Sequence, residues 1–304
     1  SVINMGHNDQ FNNTYDSFNA SLGIDGSVSL SQHYIIKLCD ISFLEADVAD
    51  IGLYNTSDEI FNLYCNNTEP YYERDDPTLI ALSNSLVNPS DNPIVKAQKI
   101  FNWVSTQLTY NENLPPQEKG ALWAYNNLEG DCSEYSSLMI TLLRIQGIPA
   151  RKVLGFLVSN NPATRPHVGN SWNFHVSDIS DNMLGHAWVE YYVPNLGWIA
   201  CDPTWKTNYF NNIDYLRFNL NVGANFFFPP ASIVSEFGNP IFVYSGGATF
   251  TFNYQVDITV LESNLNPLPQ IPILFIVFIG IGVAAVLITI ILIIKHSRKK
   301  SLYE

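Results

Sequence analysis

The chain has 304 residues, 46% of them hydrophobic, which is enough for a sizeable buried core, and a net charge of −13. The tail after Gln270 carries four basic residues against Glu304, so residues 1–270 hold 11 basic and 27 acidic residues, a balance of −16. A body this acidic, with no basic stripe, repels phosphate backbones and excludes nucleic-acid binding.

Residues 1–13 are polar and show no apolar secretory-signal region; removal of a signal and a numbering that begins inside a precursor both fit. Residues 1–75 read as a β-rich N-terminal region, with strand composition at 28–30, 34–38 and 60–64. Four N-x-S/T sequons fall here, at Asn12, Asn19, Asn55 and Asn66, as a glycosylated outside face would have them. Cys39 and Cys65 would close a loop of about 25 residues, worth roughly 3 kcal/mol if bridged in an oxidising compartment. Two buried free thiols are the alternative.

From Asp76 the pattern turns helical. Asp76-Pro77 is an N-cap followed by proline at the first helical position, with Leu79, Ile80, Leu82 and Leu86 on the apolar face. Asp91-Asn92-Pro93 starts another helix, with Ile94, Ala97, Ile100, Phe101, Val104 and Leu108 on one stripe. A shorter helix fits 118–127. Trp103, Tyr110 and Trp123 read as core aromatics, with a cleft-lining or oxyanion-polarising role for one of them as the other possibility.

Leu138, Met139, Leu142, Leu143 and Ile145 recur at helical spacing, and Gly147 with Pro149 stops that helix. It therefore begins near Cys132, after the Gly130-Asp131 turn. There the positive end of the helix dipole favours a thiolate, so Cys132 reads as a nucleophile. Residues 186–191 and 197–202 alternate as strands around a five-residue loop, 192–196. Pairing Tyr191 with Gly197 places His186 opposite Asp202, with Trp188, Glu190, Trp198 and Ala200 on the same face. A slip of one residue would send Asp202 to the other face and bring Cys201 round in its place. In the first register the carboxylate fixes the imidazole tautomer while the ring exchanges protons with Cys132. Cys201 then reads as core. Glu134 and Glu190 either tune the site or are solvated.

The strings G-D-C at a helix head, L-L-R-I-Q-G-I-P-A-R leading into a strand (Val153 to Val158), H-A-W-V-E, G-W and D-P-T stand in order within residues 130–205. Residues 100–110 supply a preceding helix. Together, over about 77–206, they resemble the transglutaminase-like superfamily. The resemblance implies an α+β, papain-related core of helices packed on an antiparallel sheet, and a catalytic triad of Cys132, His186 and Asp202. It also implies acyl transfer through a thioester, with a protein or peptide substrate and neither a metal nor an organic cofactor. The family includes peptidases, amidases, cross-linking enzymes and inactive members. Hydrolysis is favoured over transfer because no lysine-binding tunnel is recognisable, and a non-catalytic surface scaffold or adhesion module is the rival.

Residues 159–184 are rich in Asn, Pro, Gly and Asp and are long for a structureless connection between nucleophile and base. Trp172, Phe174 and His175 either contact substrate there or anchor the loop to the core. His167 and His175 with Asp178 or Asp181 match no zinc spacing, so no metal is expected. Residues 207–266 form a second β-rich region, with Phe226, Phe227 and Phe228, 241–244, and a clear alternation within 249–260. After the spacer Asn266-Pro267-Leu268-Pro269, residues 271–294 carry no charge and are long enough to cross the roughly 30 Å hydrocarbon core as one transmembrane helix. The basic tail, 295–304, then lies in the cytoplasm and the body outside, anchored in the lipid bilayer. The expected order is thus 1–75, a catalytic core at 76–206, 207–266, the membrane span and the tail.

Overall fold

Two side chain–proline pairs start the helical half of the molecule. In α2 (Pro77–Leu86) the Asp76 carboxylate accepts from the N–H groups of Thr78 and Leu79. In α3 (Pro93–Gln107) the Asn92 amide oxygen accepts from Val95. Each cap supplies acceptors that the first helical turn lacks, and proline removes a donor that would have had none. The structure is a computed structural model and describes residues 2–43, 50–65, 69–115, 117–223, 225–226, 234–235 and 249–265.

The chain continues through β4 (Thr109–Tyr110), α4 (Ala121–Asn127) and β5 (Glu129–Gly130) to the central helix α5 (Cys132–Ile145). The expected helix at 118–127 begins three residues later than its sequence suggests. Its cap comes from a remote side chain: the Glu73 carboxylate accepts from Ala121 and Leu122, while Gly120 turns the backbone at φ 89°.

Helix α5 lies on an antiparallel sheet of β6 (Ala150–Leu157), β8 (Gly185–Val193), β9 (Gly197–Cys201) and β11 (Arg217–Val222), ordered β11-β6-β8-β9. One sheet face, with Ala150, Val189, Tyr191, Ile199 and Cys201, closes on α2, α3 and α5 through residues such as Leu79, Ile100 and Leu142. The other face, with Val153, Trp188, Ala200 and Val222, packs against Phe11, Tyr64, Tyr209 and Ile213. The α+β core of helices on an antiparallel sheet is therefore as the sequence indicates, and Cys201 is core.

The hairpin register differs from expectation. Val193 pairs with Gly197 and Val189 with Cys201, so the loop holds three residues, 194–196, instead of five. Asn195 at φ 70° and Gly197 at φ 84° adopt the left-handed conformations that make so short a turn possible. The slip is two residues, so the alternation of faces survives it.

The N-terminal part departs further. Strands β1 (Val2–Asn8) and β2 (Thr14–Asn19) form a hairpin, whereas 28–30 and 34–38 are extended and exposed without strand pairing among the described residues. Residues 60–64, strand-like in composition, belong to helix α1 (Glu59–Tyr64), whose Phe61 and Tyr64 are buried three residues apart. Strand β3 (Ile41–Ser42) pairs with β10 (Asn212–Ile213). Cys39 is exposed and Cys65 buried, and both are free thiols; Cys65 Sγ lies 3.6 Å from the Arg144 carbonyl oxygen, so the bridge does not form. Of the sequons, Asn12, Asn19 and Asn55 are exposed, and Asn66 lies outside the described residues.

The long connection after β6 contains a strand, β7 (Ser171–Ser177), paired with β14 (Asn253–Thr259) in the alternating stretch. Phe174 anchors it by packing on Phe156, with ring centroids 5.5 Å apart. Short strands β12 (Asn225–Phe226) and β13 (Val234–Ser235) also pair. The chain divides into two units, one of Ser1–Pro162 with Trp172–Asp257, the other of Ala163–Ser171 with Ile258–Glu304. In the second unit, Gly169 and Asn170 exchange backbone hydrogen bonds with Val260. Phe227, Phe228, 241–244, the expected span 271–294 and the basic tail lie outside the described residues. Among the described residues no helix is long and apolar enough to cross a membrane.

Candidate active site

The nucleophile's position is set by the start of α5. The Asp131 carboxylate accepts from Ser133 at 2.7 Å, and Glu134 closes the capping box by accepting from the Asp131 N–H at 3.1 Å. The other Glu134 oxygen accepts from the Lys119 N–H at 2.8 Å. Glu134 is thus a buried tether between Lys119 and the helix head, not a solvated charge. A Cβ on Gly130 would lie 2.5 Å from the Glu134 Cβ, so that position needs glycine. Burial, then repulsion from Glu134, pushes the Asp131 carboxyl up to about 6. Below the helix head, Lys152 donates to Glu118 at 2.6 Å and to Ser137 at 2.8 Å, tying Glu118 to α5.

Cys132 therefore sits at the first helical position, 8% exposed, packed on Leu154 of β6 and Ala187 of β8. Its sulfur is near enough to the His186 ring to favour a proton there. His186, 4% exposed, stands near the start of β8 opposite Gly155. Its Nε2 lies 2.6 Å from Asp202 Oδ2, which leaves Nδ1 for the sulfur. With the carboxylate ionised, Nε2 carries the proton. Burial opposes a charge on the ring, but Asp202 overcomes it, helped by Cys132, and His186 is pushed up to about 9.

Asp202 does not lie on the strand. It follows β9 and caps the 3-10 turn Pro203–Trp205, its Oδ1 accepting from the N–H and hydroxyl of Thr204. This is how a register two residues away from the expected one still brings the carboxylate to His186. The side chain is fully buried, which works against ionisation, yet His186 and Arg217 hold it well below the usual carboxylate range.

Arg217 is the residue that the sequence reading missed. It begins β11 on the far side of β6, is buried, and donates to Asp202 Oδ2 through Nη2 at 2.7 Å and Nε at 3.1 Å. Its Nη1 pairs with Asp214 at 2.8 Å, and its guanidinium lies over the Tyr209 ring, 4.4 Å from the centroid, and over Trp205 at 5.2 Å. The only sequence signal is one charge inside an otherwise uncharged strand, and that does not name a partner.

Glu190 is not part of the site: it pairs with Arg151 at 2.7 Å, which in turn stacks on Trp198. His175 binds Ser180 through Nε2 at 3.1 Å and Trp172 is half-buried, so the 159–184 connection holds itself and the core together. Trp103 packs against the helical core beside Tyr125. Tyr110 does not; it is 51% exposed.

A thiol, an imidazole and a carboxylate thus stand together at a helix head, on a mixed helix-and-sheet fold of transglutaminase-like type. Residues 80–203 match the family model of the transglutaminase-like superfamily. The chain is 39% identical over 83 residues to protein-glutamine gamma-glutamyltransferase of Pseudomonas aeruginosa, covering 27% of this chain and 11% of that protein. It is 30% identical over 129 residues to the uncharacterized protein YebA of Bacillus subtilis, covering 40% of this chain and 17% of that one. The chain thus spans less than a fifth of the length of these curated relatives. Among solved structures, a candidate cysteine protease of Cytophaga hutchinsonii aligns with TM-score 0.42 at 19% identity, over 66% of this chain and 56% of that one. The periplasmic domain of TgpA from Pseudomonas aeruginosa aligns with TM-score 0.31 at 24% identity, over 42% of each chain.

Proposed function

We propose that this protein is a membrane-anchored, extracytoplasmic cysteine enzyme that opens carboxamide or peptide bonds through a thioester and passes the acyl group to water. The observation that carries this reading is the Cys132–His186–Asp202 series, with His186 Nε2 held 2.6 Å from Asp202. The Cys132 sulfur attacks the carbonyl carbon, and the C=O electron pair moves onto oxygen. The backbone N–H of Cys132 helps hold the developing oxyanion. As the tetrahedral adduct collapses, the C–N bond breaks and the departing amine takes the proton from the His186 ring. Water then gives a proton back to the ring as it attacks the thioester, releasing the acid and the Cys132 thiolate, which restores the starting thiolate–imidazolium pair. Asp202 orients the ring throughout.

The similarity to a protein-glutamine gamma-glutamyltransferase supports a second reading, in which a primary amine replaces water and the product is a cross-link. The same triad serves both, because only the acceptor differs. Incubating the protein with a glutamine-containing peptide, with and without a primary amine, separates them by mass spectrometry. Deamidated peptide alone supports hydrolysis, and the amine adduct supports transfer. A thiol probe that fails to label Cys132, together with no turnover of either kind, would favour the scaffold reading.

The anchor rests on the uncharged stretch at 271–294 and the basic residues that follow it. Protease added to intact cells should digest the body and spare the tail. Protection of the body would overturn the orientation.

A further inference from the structure

Three residues form a row across the sheet beneath the nucleophile. Ala187 of β8 stands opposite Leu154 of β6, and Leu154 stands opposite Asn221 of β11. Each adjoins a residue of the far face, Trp188, Val153 and Val222 respectively, so strand alternation turns all three towards α5. Cys132 packs on the first two. Asn221 is one strand further along the row, a step of about 5 Å. A bulge in β11 between Asn219 and Asn221 is what brings this side chain into the row. Asn221 is 9% exposed, and neither the oxygen nor the nitrogen of its carboxamide has a hydrogen-bond partner among the described residues. The backbone beside it, by contrast, is fixed. The Asn13 side chain donates to the Val222 carbonyl and accepts from the Val222 N–H, both at 2.8 Å, and the Gly223 N–H donates to the Lys152 carbonyl at 2.8 Å. Buried polar side chains are paired in the great majority of cases. A firmly placed amide with donor and acceptor both open, in the row that carries the thiol, has the form of a binding group.

We propose that the Asn221 carboxamide binds the main chain of a peptide substrate beside the bond that Cys132 attacks, donating from Nδ2 to the C=O and accepting at Oδ1 from the N–H of one residue. The inference rests on the thioester reading above and names the substrate of that site as an extended peptide segment. In an extended chain the N–H and C=O of one residue point to the same side, so a single side-chain amide meets both. The molecule already makes this pairing one residue away, where Asn13 holds Val222 by the same two groups. Such a contact reads the main chain and not the side chains. Asn221 holds the substrate and takes no part in breaking or forming the thioester.

The test uses the whole protein and two acyl donors for one thiol. Glutamine-containing peptides carry a main chain for Asn221 to hold, whereas p-nitrophenyl acetate carries none. Asn221→Leu keeps the branched shape without the polar atoms, and Asn221→Ala removes them without adding bulk. Both variants should stay folded in melting curves, because the free protein loses no hydrogen bond. Each should lower kcat/KM for the peptides about 10–100-fold, mostly through KM, as the loss of two hydrogen bonds predicts, and leave acetylation of Cys132 within about twofold. Wild-type kcat/KM on the peptides in both variants would overturn the proposal. An equal fall in both reactions would also overturn it, since Asn221 would then be positioning the thiol. If neither variant folds, the amide serves the fold and the proposal is again overturned. A wild-type protein that is acetylated but turns over no peptide would overturn the peptide role alone. One that does neither would overturn the thioester reading, and the role of Asn221 with it.

Discussion

The Arg217 guanidinium grips Asp202 through two nitrogens, Nη2 at 2.7 Å and Nε at 3.1 Å, on the same carboxylate oxygen that holds the His186 ring. One oxygen thereby joins a strand at the edge of the sheet to the His186 imidazole. The fork fixes where the carboxylate can point, and its charge keeps the acid ionised although it is fully buried.

Replacing Arg217 with methionine keeps much of the volume but leaves Asp202 and Asp214 without their cation. Breaking a buried pair in this way costs about 3–5 kcal/mol. Thermal melts should show that loss, and kcat should fall at least about tenfold as Asp202 is freed to rotate. Arg217→Lys should recover part of the stability and less of the turnover, because an ammonium cannot reproduce the two-pronged contact. A fully active, fully stable Arg217→Met protein would show that Asp202 needs only His186.

The three triad members should fall in a definite order. Cys132→Ala and His186→Ala each abolish turnover, and combining them adds little because the residues act as one unit. Asp202→Asn presents His186 with an amide in place of a carboxylate and should lower kcat by about 10⁴, as the comparable change does in a serine triad. Melting curves must accompany these assays, since Asp202 also caps the turn at Pro203–Trp205.

Stability should carry the signature of a histidine whose proton is held by folding. His186 is raised from 6.5 to about 9 in the folded protein. Its contribution is therefore fully present below about pH 6.5 and is lost as the pH rises through about 9. Asp202 shifts the other way, so its contribution is present above its unfolded value and disappears as the pH falls through its depressed folded value. Urea titrations of wild type and His186→Gln between pH 6 and pH 10 should differ most at the acid end and converge at the alkaline end. A constant difference would mean that His186 is neutral in the folded protein.

Gly155 sits opposite His186 on β6, and a Cβ there would collide with the Phe218 carbonyl oxygen of β11. Gly155→Ala must therefore push β11 away, and Arg217 with it. We expect a loss of at least about 3 kcal/mol, the upper end for overpacked sites, and a fall in activity larger than the stability loss explains. Gly147→Ala, where a Cβ meets nothing within 4 Å, serves as the comparison; it bears only the strain of φ 73°.

Local chemistry wrote part of this protein into its sequence. The starts of α2, α3 and α5 were legible because Asp76, Asn92 and Asp131 each cap a helix from the residue before it. The place of Cys132 at the first helical position was legible for the same reason. His186 and Asp202 were placed on one face by strand alternation, and that survived an error of two residues in the hairpin because alternation has a period of two. What needed the tertiary structure lies where the deciding partner is distant in the chain. Residues 60–64 became helix α1 because Phe61 and Tyr64 are buried three residues apart, overriding their strand composition. Helix α4 starts late because Glu73, remote in sequence, supplies its cap. Arg217 carries no local signal of its partner. It reaches Asp202 because β11 joins the sheet beside β6. Caps and alternation are interactions of neighbours and can be read along the chain, whereas these contacts exist only once the sheet has chosen its strand order.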